Sequence, residues 1–161
     1  IMIDDQSIYK STIRSIRKEI SMVSQETTLF DDTIKNNIKY AREDADDEEV
    51  YKVAKLSFCE EFINKLPNKF ETLIGENGVR LSGGEKQRLS IARALCKDAE
   101  IILLDEITSQ IDTVNEKKII DTIYELFKNK TIIMISHNKK NLYGCNSIIK
   151  IENNNVIKEK V

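Results

Sequence analysis

Two short apolar runs in the second half of the chain, Glu100–Leu104 and Thr131–Ile135, have the pattern of buried parallel strands. Between them, apolar side chains recur at the i, i+3, i+4 and i+7 spacing of an amphipathic helix, at Ile120, Ile123, Tyr124 and Phe127. The segment Thr113–Glu116 offers this helix a capping box at its start. A strand, a helix and a second strand predict a right-handed βαβ unit whose strands are buried on both faces.

The rest of the chain has a mixed pattern. Ser147–Ile151 and Val156–Lys158 predict two further short strands around an Asn-rich turn at Asn153–Asn155. Ile20–Val23 is another candidate strand. From Thr33 to Leu95 the signals are mainly helical, although a cluster of four glycines in a glycine-poor chain marks a place where the backbone turns or approaches something closely.

Composition narrows the class of protein. The chain has 161 residues, of which 40% are hydrophobic and 32% charged, as in an ordinary globular domain. Its formal net charge of -2 gives no support for a nucleic-acid partner, and we expect none. Three cysteines without C-x-x-C spacing exclude a self-contained disulfide framework. The acidic stretch Glu43–Glu49 predicts a solvated loop that leads into a helix N-terminus.

Polar residues directly follow the two strands of the βαβ unit. Asp105 and Glu106 follow the first strand, and Ser136 and His137 follow the second. Because ligands of open parallel sheets bind at the carboxyl ends of the strands, we expect these side chains to line one crevice. Asp105 suits Mg²⁺, and a neighbouring carboxylate can polarise water. The alternative is that both acids are only solvated caps of a strand end.

The stretch Leu81–Arg88 combines a glycine-rich turn with the start of a helix. The backbone N–H groups of Gly83 and Gly84, the hydroxyl of Ser82 and a helix N-terminus together favour an anion site suited to phosphate. A structural interpretation stands beside this one, since Ser82 and Glu85 have the spacing of a capping box.

Several motifs, in order, resemble those of ATP-binding-cassette (ABC) ATPases, and the resemblance covers nearly the whole chain. They are the Q-loop (Val23–Gln25), the signature motif with its helix (Leu81–Leu95), Walker B with the catalytic glutamate (Ile101–Glu106), the D-loop (Thr108–Asp112) and the switch histidine (Ile135–His137). Leu29–Ile38 and Leu73–Gly78 are similar to exporter-type cassettes. One departure lies in the D-loop, where Gln110 replaces the usual alanine.

The resemblance implies an α/β fold: a truncated P-loop NTPase (ABC ATPase) domain with a parallel-sheet core and a helical subdomain. Residues 1–161 would form a partial domain. Within it, about 1–30 would supply core strands and the Q-loop, 31–95 the helical subdomain with the signature motif, and 96–161 the α/β core.

The resemblance also implies ATP and Mg²⁺ as cofactors and assigns roles to the site residues. Glu106 would orient the attacking water, His137 would hold the γ-phosphate, and Gln25 would contact Mg²⁺ or the water. Asp105 would hold Mg²⁺ through water. The signature residues Ser82, Gly83, Gly84 and Glu85 would meet a nucleotide held by an opposing subunit, and Asp112 would lie at that interface.

Partners follow from the same resemblance. They are a second ABC ATPase domain, identical or different, and the transmembrane domain of an exporter, contacted near Phe30–Ile38. Association with the membrane would then be indirect, at its cytoplasmic face. The phosphate-binding motif G-x-x-x-x-G-K-[ST] is not found in the sequence. We expect it upstream of Ile1, so this polypeptide alone would bind ATP weakly or not at all.

Two alternatives remain open. A chromosome-maintenance ATPase head carries a similar signature, but the segment between Gln25 and Ser82 is short and has no coiled-coil heptads. A non-catalytic or degraded fragment could instead complete a partner's site in trans through Ser82–Glu85.

Overall fold

The structure is a computed structural model, which describes residues 1–153 and 155–159. The chain starts with a hairpin of two short strands, β1 (Met2–Ile3) and β2 (Gln6–Ser7). The turn between them places Asp4 and Asp5 at positive φ. Helix α1 (Ile13–Glu19) follows, capped by the hydroxyl of Thr12, and was not predicted from the apolar pattern. Strand β3 (Ile20–Val23) begins directly after it and confirms the predicted strand.

Three parallel strands form the central sheet, in the order β3, β4 (Ile101–Asp105) and β5 (Thr131–Ile135). The register pairs Val23 with Leu104, and Asp105 with Ile135. All three strands therefore end close together at one edge. The predicted βαβ unit is confirmed, with α6 (Thr113–Leu126) as its helix.

Only one face of the sheet is covered by the described residues. Val23, Ile102 and Leu104 face the core, where the buried isoleucines of α6 also lie. On the other face, Met22, Ile133 and Ile135 remain 59%, 55% and 56% exposed. We call this the open face. The prediction that both strands are buried on two faces is wrong, because helices pack against one side of the sheet alone.

The α-helices between strands β3 and β4 form a layer beside the sheet, which we call the helical layer. It consists of α2 (Ile34–Lys39), α3 (Asp47–Leu56), α4 (Glu60–Ile63) and α5 (Gly83–Lys97). Helix α3 has a complete capping box of Asp46 and Glu49, which confirms that the acidic stretch leads into a helix. Helix α5 contacts α2, α3 and strand β3, so it joins the helical layer to the sheet.

The last described residues form a hairpin of β6 (Ile148–Glu152) and β7 (Asn155–Glu159), as predicted, although Asn154 of the turn lies outside the described residues. The predicted cap of α6 is wrong by one residue. Asp112 is the N-cap and accepts a hydrogen bond from the amide of Asn115. Among the described residues, no helix has both the length and the apolar character that crossing a membrane requires.

The three cysteines have free thiols, in agreement with the exclusion of a disulfide framework. Cys59 is fully buried, and this burial raises the pKa of its thiol to about 12. A thiol that stays protonated at neutral pH is a poor nucleophile, so Cys59 acts as a small core residue.

Candidate active site

The carboxyl edge of the parallel sheet gathers the polar residues that follow its strands. Gln25 lies two residues after β3, Glu106 follows β4 and His137 lies two residues after β5. The backbone N–H of Glu106 donates to the carbonyl of Ile135 at 3.0 Å, which extends the strand pairing by one residue. This bond holds the start of the Glu106 loop beside the end of β5, as the sequence predicts for such an edge.

Glu106 is the centre of a hydrogen-bonded group that we call the carboxylate cluster, formed by Gln25, Glu106 and His137. Gln25 Nε2 donates to Glu106 Oε2 at 3.1 Å, and His137 Nε2 lies 2.7 Å from Glu106 Oε1. The Glu106 side chain is 21% exposed, whereas that of His137 is 87% exposed. A partly buried carboxylate between an amide and an imidazole at a solvent-facing edge can orient or deprotonate water.

The backbone of Glu106 has an unusual conformation, with φ at +47°. This left-handed region is unfavourable for a residue with a Cβ, and such strain concentrates at functional sites. Here the turn directs the Glu106 side chain to Gln25 and His137 directly after the strand ends. Nothing in the residue types at this point predicts the conformation.

Oxygen atoms of side chains at the same edge could supply part of the ligand shell of a magnesium ion. Asp105 is the last residue of β4, and the hydrogen bond of Gln25 to Glu106 uses the amide nitrogen and not the amide oxygen. Among the described residues, no group of three or more His, Cys, Asp or Glu side chains could hold a metal ion alone. Mg²⁺ in phosphate-binding sites takes only one or two carboxylates and completes its shell with phosphate and water, so this donor set fits it.

Ser82–Glu85, which we call the signature turn, opens helix α5. The amide and the hydroxyl of Ser82 both donate to Glu85 Oε2, at 2.8 and 2.7 Å, and the Glu85 amide donates back to the Ser82 hydroxyl at 3.4 Å. The capping box is therefore present. It leaves the amides of Gly83 and Gly84 in the first turn, where no intrahelical acceptor exists.

Comparison with known proteins decides the family. Residues 1–109 match the family described as ABC transporter. The chain belongs to the ABC transporter family. It is 42% identical over 159 residues to the ATP-dependent lipid A-core flippase of Legionella pneumophila (strain Paris), covering 99% of this chain and 27% of that protein.

A second relative and a solved structure agree with this family. The chain is 41% identical to the mitochondrial iron-sulfur clusters transporter atm1 of Aspergillus fumigatus, covering 97% of this chain and 22% of that protein. A bacterial Atm1-family ABC exporter with ATP bound has a TM-score of 0.93 and 38% identity, over 97% of this chain and 28% of that one. The chain thus spans about a quarter of the length of the relatives it matches, and its fold is that of an exporter-type ABC ATPase domain.

The D-loop of this ABC family member touches its own signature turn. A Cβ placed on Gly83 would lie 2.0 Å from the side-chain oxygen of Gln110, and one on Gly84 would lie 3.0 Å from the Gln110 carbonyl. Any side chain at Gly83 would therefore displace Gln110. The long side chain in place of the usual alanine fills the space above the glycines, which the sequence alone did not reveal.

The structure thus divides the predicted site residues of the ABC domain into two groups. Gln25, Glu106 and His137 meet in the carboxylate cluster. The signature turn is the second group and lies beside Gln110, while Asp105 ends β4 and Asp112 caps α6.

Four further residues form a network that the sequence analysis did not identify. They are Thr108, Glu116, Asn138 and Asn141. They lie in three separate segments, and no spacing rule connects them. The only feature of the sequence that pointed to this network was the position of Thr108 within the D-loop motif.

Proposed function

We propose that this chain carries the ATP-hydrolysing residues of an ABC exporter and powers transport of a substrate across a membrane. The observation that carries this proposal is the carboxylate cluster. Its three side chains come from three different strand ends, yet Gln25 and His137 both lie within hydrogen-bonding distance of the Glu106 carboxylate. Membership of the ABC transporter family implies the use of ATP, and the cluster has the chemistry that hydrolysis needs.

In the proposed mechanism, Glu106 orients the attacking water and withdraws its proton. His137 is exposed on the solvent side of the cluster, where it donates to a phosphate oxygen as negative charge develops. Gln25 holds Glu106 and offers its amide oxygen, together with Asp105, to Mg²⁺. Mg²⁺ held there would neutralise phosphate charge, while the residues of this chain position the reacting groups.

The signature turn has a separate proposed role toward a nucleotide held by a second ABC ATPase domain. Once Gln110 moves away from the glycines, the amides of Gly83 and Gly84 and the positive end of a fifteen-residue helix would support binding of phosphate. Ser82 would contribute its hydroxyl by exchanging its hydrogen bond to Glu85 for one to phosphate. Asp112, at the end of the D-loop, would face the same partner.

A transmembrane domain is the second proposed partner. Phe30 and Tyr40 form a partly exposed aromatic pair, with ring centroids 3.9 Å apart. Beneath them Arg93 of α5 donates to the carbonyls of Thr28 and Asn37, so the pair rests on the helix that starts at the signature turn. Exposed aromatic side chains on a rigid base favour protein contact. The chain would act at the cytoplasmic face of the membrane through this contact.

The experiment is ATP hydrolysis by the full-length protein with Glu106→Gln. We expect kcat to fall by about a hundredfold or more, because the general base is lost while the shape is kept. Glu100→Gln, at the residue before β4, is the matched control, since Glu100 is largely exposed and its 3.8 Å ion pair with Lys130 contributes little. Hydrolysis at the wild-type rate by the Glu106→Gln variant would contradict the proposed role.

Calorimetry of residues 1–161 with Mg-ATP tests whether this polypeptide acts alone. We expect weak binding or none, since the sequence contains no G-x-x-x-x-G-K-[ST] cradle. Stimulation of ATP hydrolysis by an intact cassette would support a role for the signature turn in trans. Tight binding by the isolated polypeptide would instead overturn the expectation.

A further inference from the structure

Glu116, in the first turn of α6, joins three segments of the chain through one oxygen atom. Its Oε1 accepts hydrogen bonds from Thr108 Oγ1 at 2.8 Å, Asn141 Nδ2 at 2.8 Å and Asn138 Nδ2 at 3.3 Å. Asn141 also donates to Thr108 Oγ1 at 3.2 Å. The D-loop, the helix and the turn after His137 therefore share a single acceptor.

The charge of Glu116 strengthens this junction. The hydrogen bond from Asn141, joined by those from Thr108 and Asn138, lowers the pKa of Glu116 against the opposing effect of burial. Hydrogen bonds to an ionised acceptor are about twice as strong as neutral ones. Asn141 is itself buried, and its backbone carbonyl accepts a hydrogen bond at 2.6 Å from the hydroxyl of Tyr124, which lies on α6 like Glu116. Two residues of α6, Glu116 and Tyr124, therefore hold the junction.

The junction is connected to the carboxylate cluster through two short stretches of backbone. Thr108 is two residues after Glu106, and Asn138 is the residue after His137. Within the cluster, His137 Nε2 and Glu106 Oε1 are 2.7 Å apart. The D-loop and the turn after β5 are therefore connected twice, once through Glu116 and once through the contact between Glu106 and His137. A displacement of either loop at Glu116 would change the distance between Glu106 and His137.

We propose that Glu116 is a positioning residue that holds His137 against Glu106 by tying the D-loop to the turn after β5. The proposal rests on the proposed function, since it assigns Glu116 to the same reaction. A structural role alone would lower the stability of the domain and leave the Glu106–His137 contact intact. A positioning role changes that contact in protein that is still folded.

The first test uses His137 in the full-length protein, with its imidazole signals assigned by their loss in a His137→Gln variant. We compare the imidazole ¹⁵N shifts of His137 at a fixed pH in the wild type and in Glu116→Met, Glu106→Gln and the double variant. Methionine keeps the length of the side chain but offers no oxygen to the three donors. We expect Glu116→Met to reproduce most of the change seen in Glu106→Gln, and the double variant to add little. Wild-type His137 shifts in folded Glu116→Met protein would overturn the proposal, whether or not the protein hydrolyses ATP.

The second test uses ATP hydrolysis by the full-length protein, where activity of the wild type first checks the proposed function. We expect Glu116→Met to lower kcat by about tenfold, because a small misplacement of a catalytic group is costly, and to leave the KM for ATP within about twofold. Glu125→Met, on the exposed side of α6, is the matched control and retains the wild-type kcat. An unchanged kcat in Glu116→Met would count against the proposal.

A further variant guards against failure of Glu116→Met to fold. Thr108→Val keeps the shape of the side chain and removes one donor and one acceptor of the junction. We expect a smaller change of the same kind in the His137 shifts and in kcat. Wild-type values for both measurements in Thr108→Val, together with an unfolded Glu116→Met, would assign the junction to stability and overturn the proposal.

Discussion

The helical layer and the central sheet differ in how completely this chain packs them. In the helical layer, Ile34, Ile38 and Ile63 are fully buried within a core that the described residues build. In the sheet, β5 has no fully buried residue, and its isoleucines on the open face are more than half exposed. The same residue type therefore contributes to stability very differently in the two regions.

This difference extends to the candidate functional groups. The signature turn begins α5, whose buried positions anchor it in the helical layer. The carboxylate cluster lies at the edge of the half-covered sheet, where the positions of its side chains depend on hydrogen bonds between loops. Packing is thus expected to fix the signature turn, while polar contacts such as those of Glu116 fix the catalytic edge.

The largest expected effect comes from truncating the same side chain in the two regions. Ile63→Ala leaves a cavity in the helical layer and should lower the free energy of unfolding by about 3 kcal/mol. Ile133→Ala removes the same atoms from the open face and should cost less than about 1 kcal/mol. Urea unfolding of residues 1–161, followed by circular dichroism, measures both.

Equal losses in the two variants would contradict the comparison. They would mean that the open face is covered in solution. The slope of the unfolding free energy against urea should stay constant in both variants, since a changed slope indicates an altered unfolded state and not a lost contact.

Local patterns along the sequence predicted most of the elements. The strands Ile20–Val23 and Thr131–Ile135 have the predicted bounds, and β4 is displaced by one residue. Continuous apolar runs and capping residues are local signals, so one sequence is enough for them. Helix α1 was missed because its isoleucines are too few for a clear period, although Thr12 and Ser15 have the spacing of a cap.

What the sequence could not supply depends on contacts between distant segments. The two-sided burial of β4 and β5 was expected from their composition, but burial depends on which elements lie over each face. The Glu116 junction depends on donors from residues before and after α6, and the left-handed turn at Glu106 depends on the strand beside it. The proposed roles of Ser82–Glu85 and Asp112 in trans remain predictions.

An intermediate effect is expected for a buried polar residue of the helical layer. Asn37 is 1% exposed, accepts from the Phe30 amide and from Arg93, and donates to the Phe30 and Thr33 carbonyls. Asn37→Ala should lower the free energy of unfolding by about 2 kcal/mol, because several buried polar groups lose their partner.

The exposed neighbour Asn36 provides the matched control for this substitution. Asn36→Ala, on the same short helix, should cost less than about 1 kcal/mol by urea unfolding. A loss in Asn36→Ala as large as that in Asn37→Ala would show that helix propensity, and not the buried network, decides the result.

The smallest expected effect lies on the open face. Ile135→Thr keeps a β-branched side chain in strand β5 and places a hydroxyl where solvent already reaches. The free energy of unfolding should change by less than about 0.5 kcal/mol.

Light scattering on the same samples sharpens this last comparison. A smaller apolar patch should reduce self-association of residues 1–161 at high concentration. A stability loss of more than about 1 kcal/mol that grows with protein concentration would show that a second copy covers the open face, because association stabilises the folded state by mass action. A loss independent of concentration would place this face inside the core of the chain itself, and the contrast between the sheet and the helical layer would no longer hold.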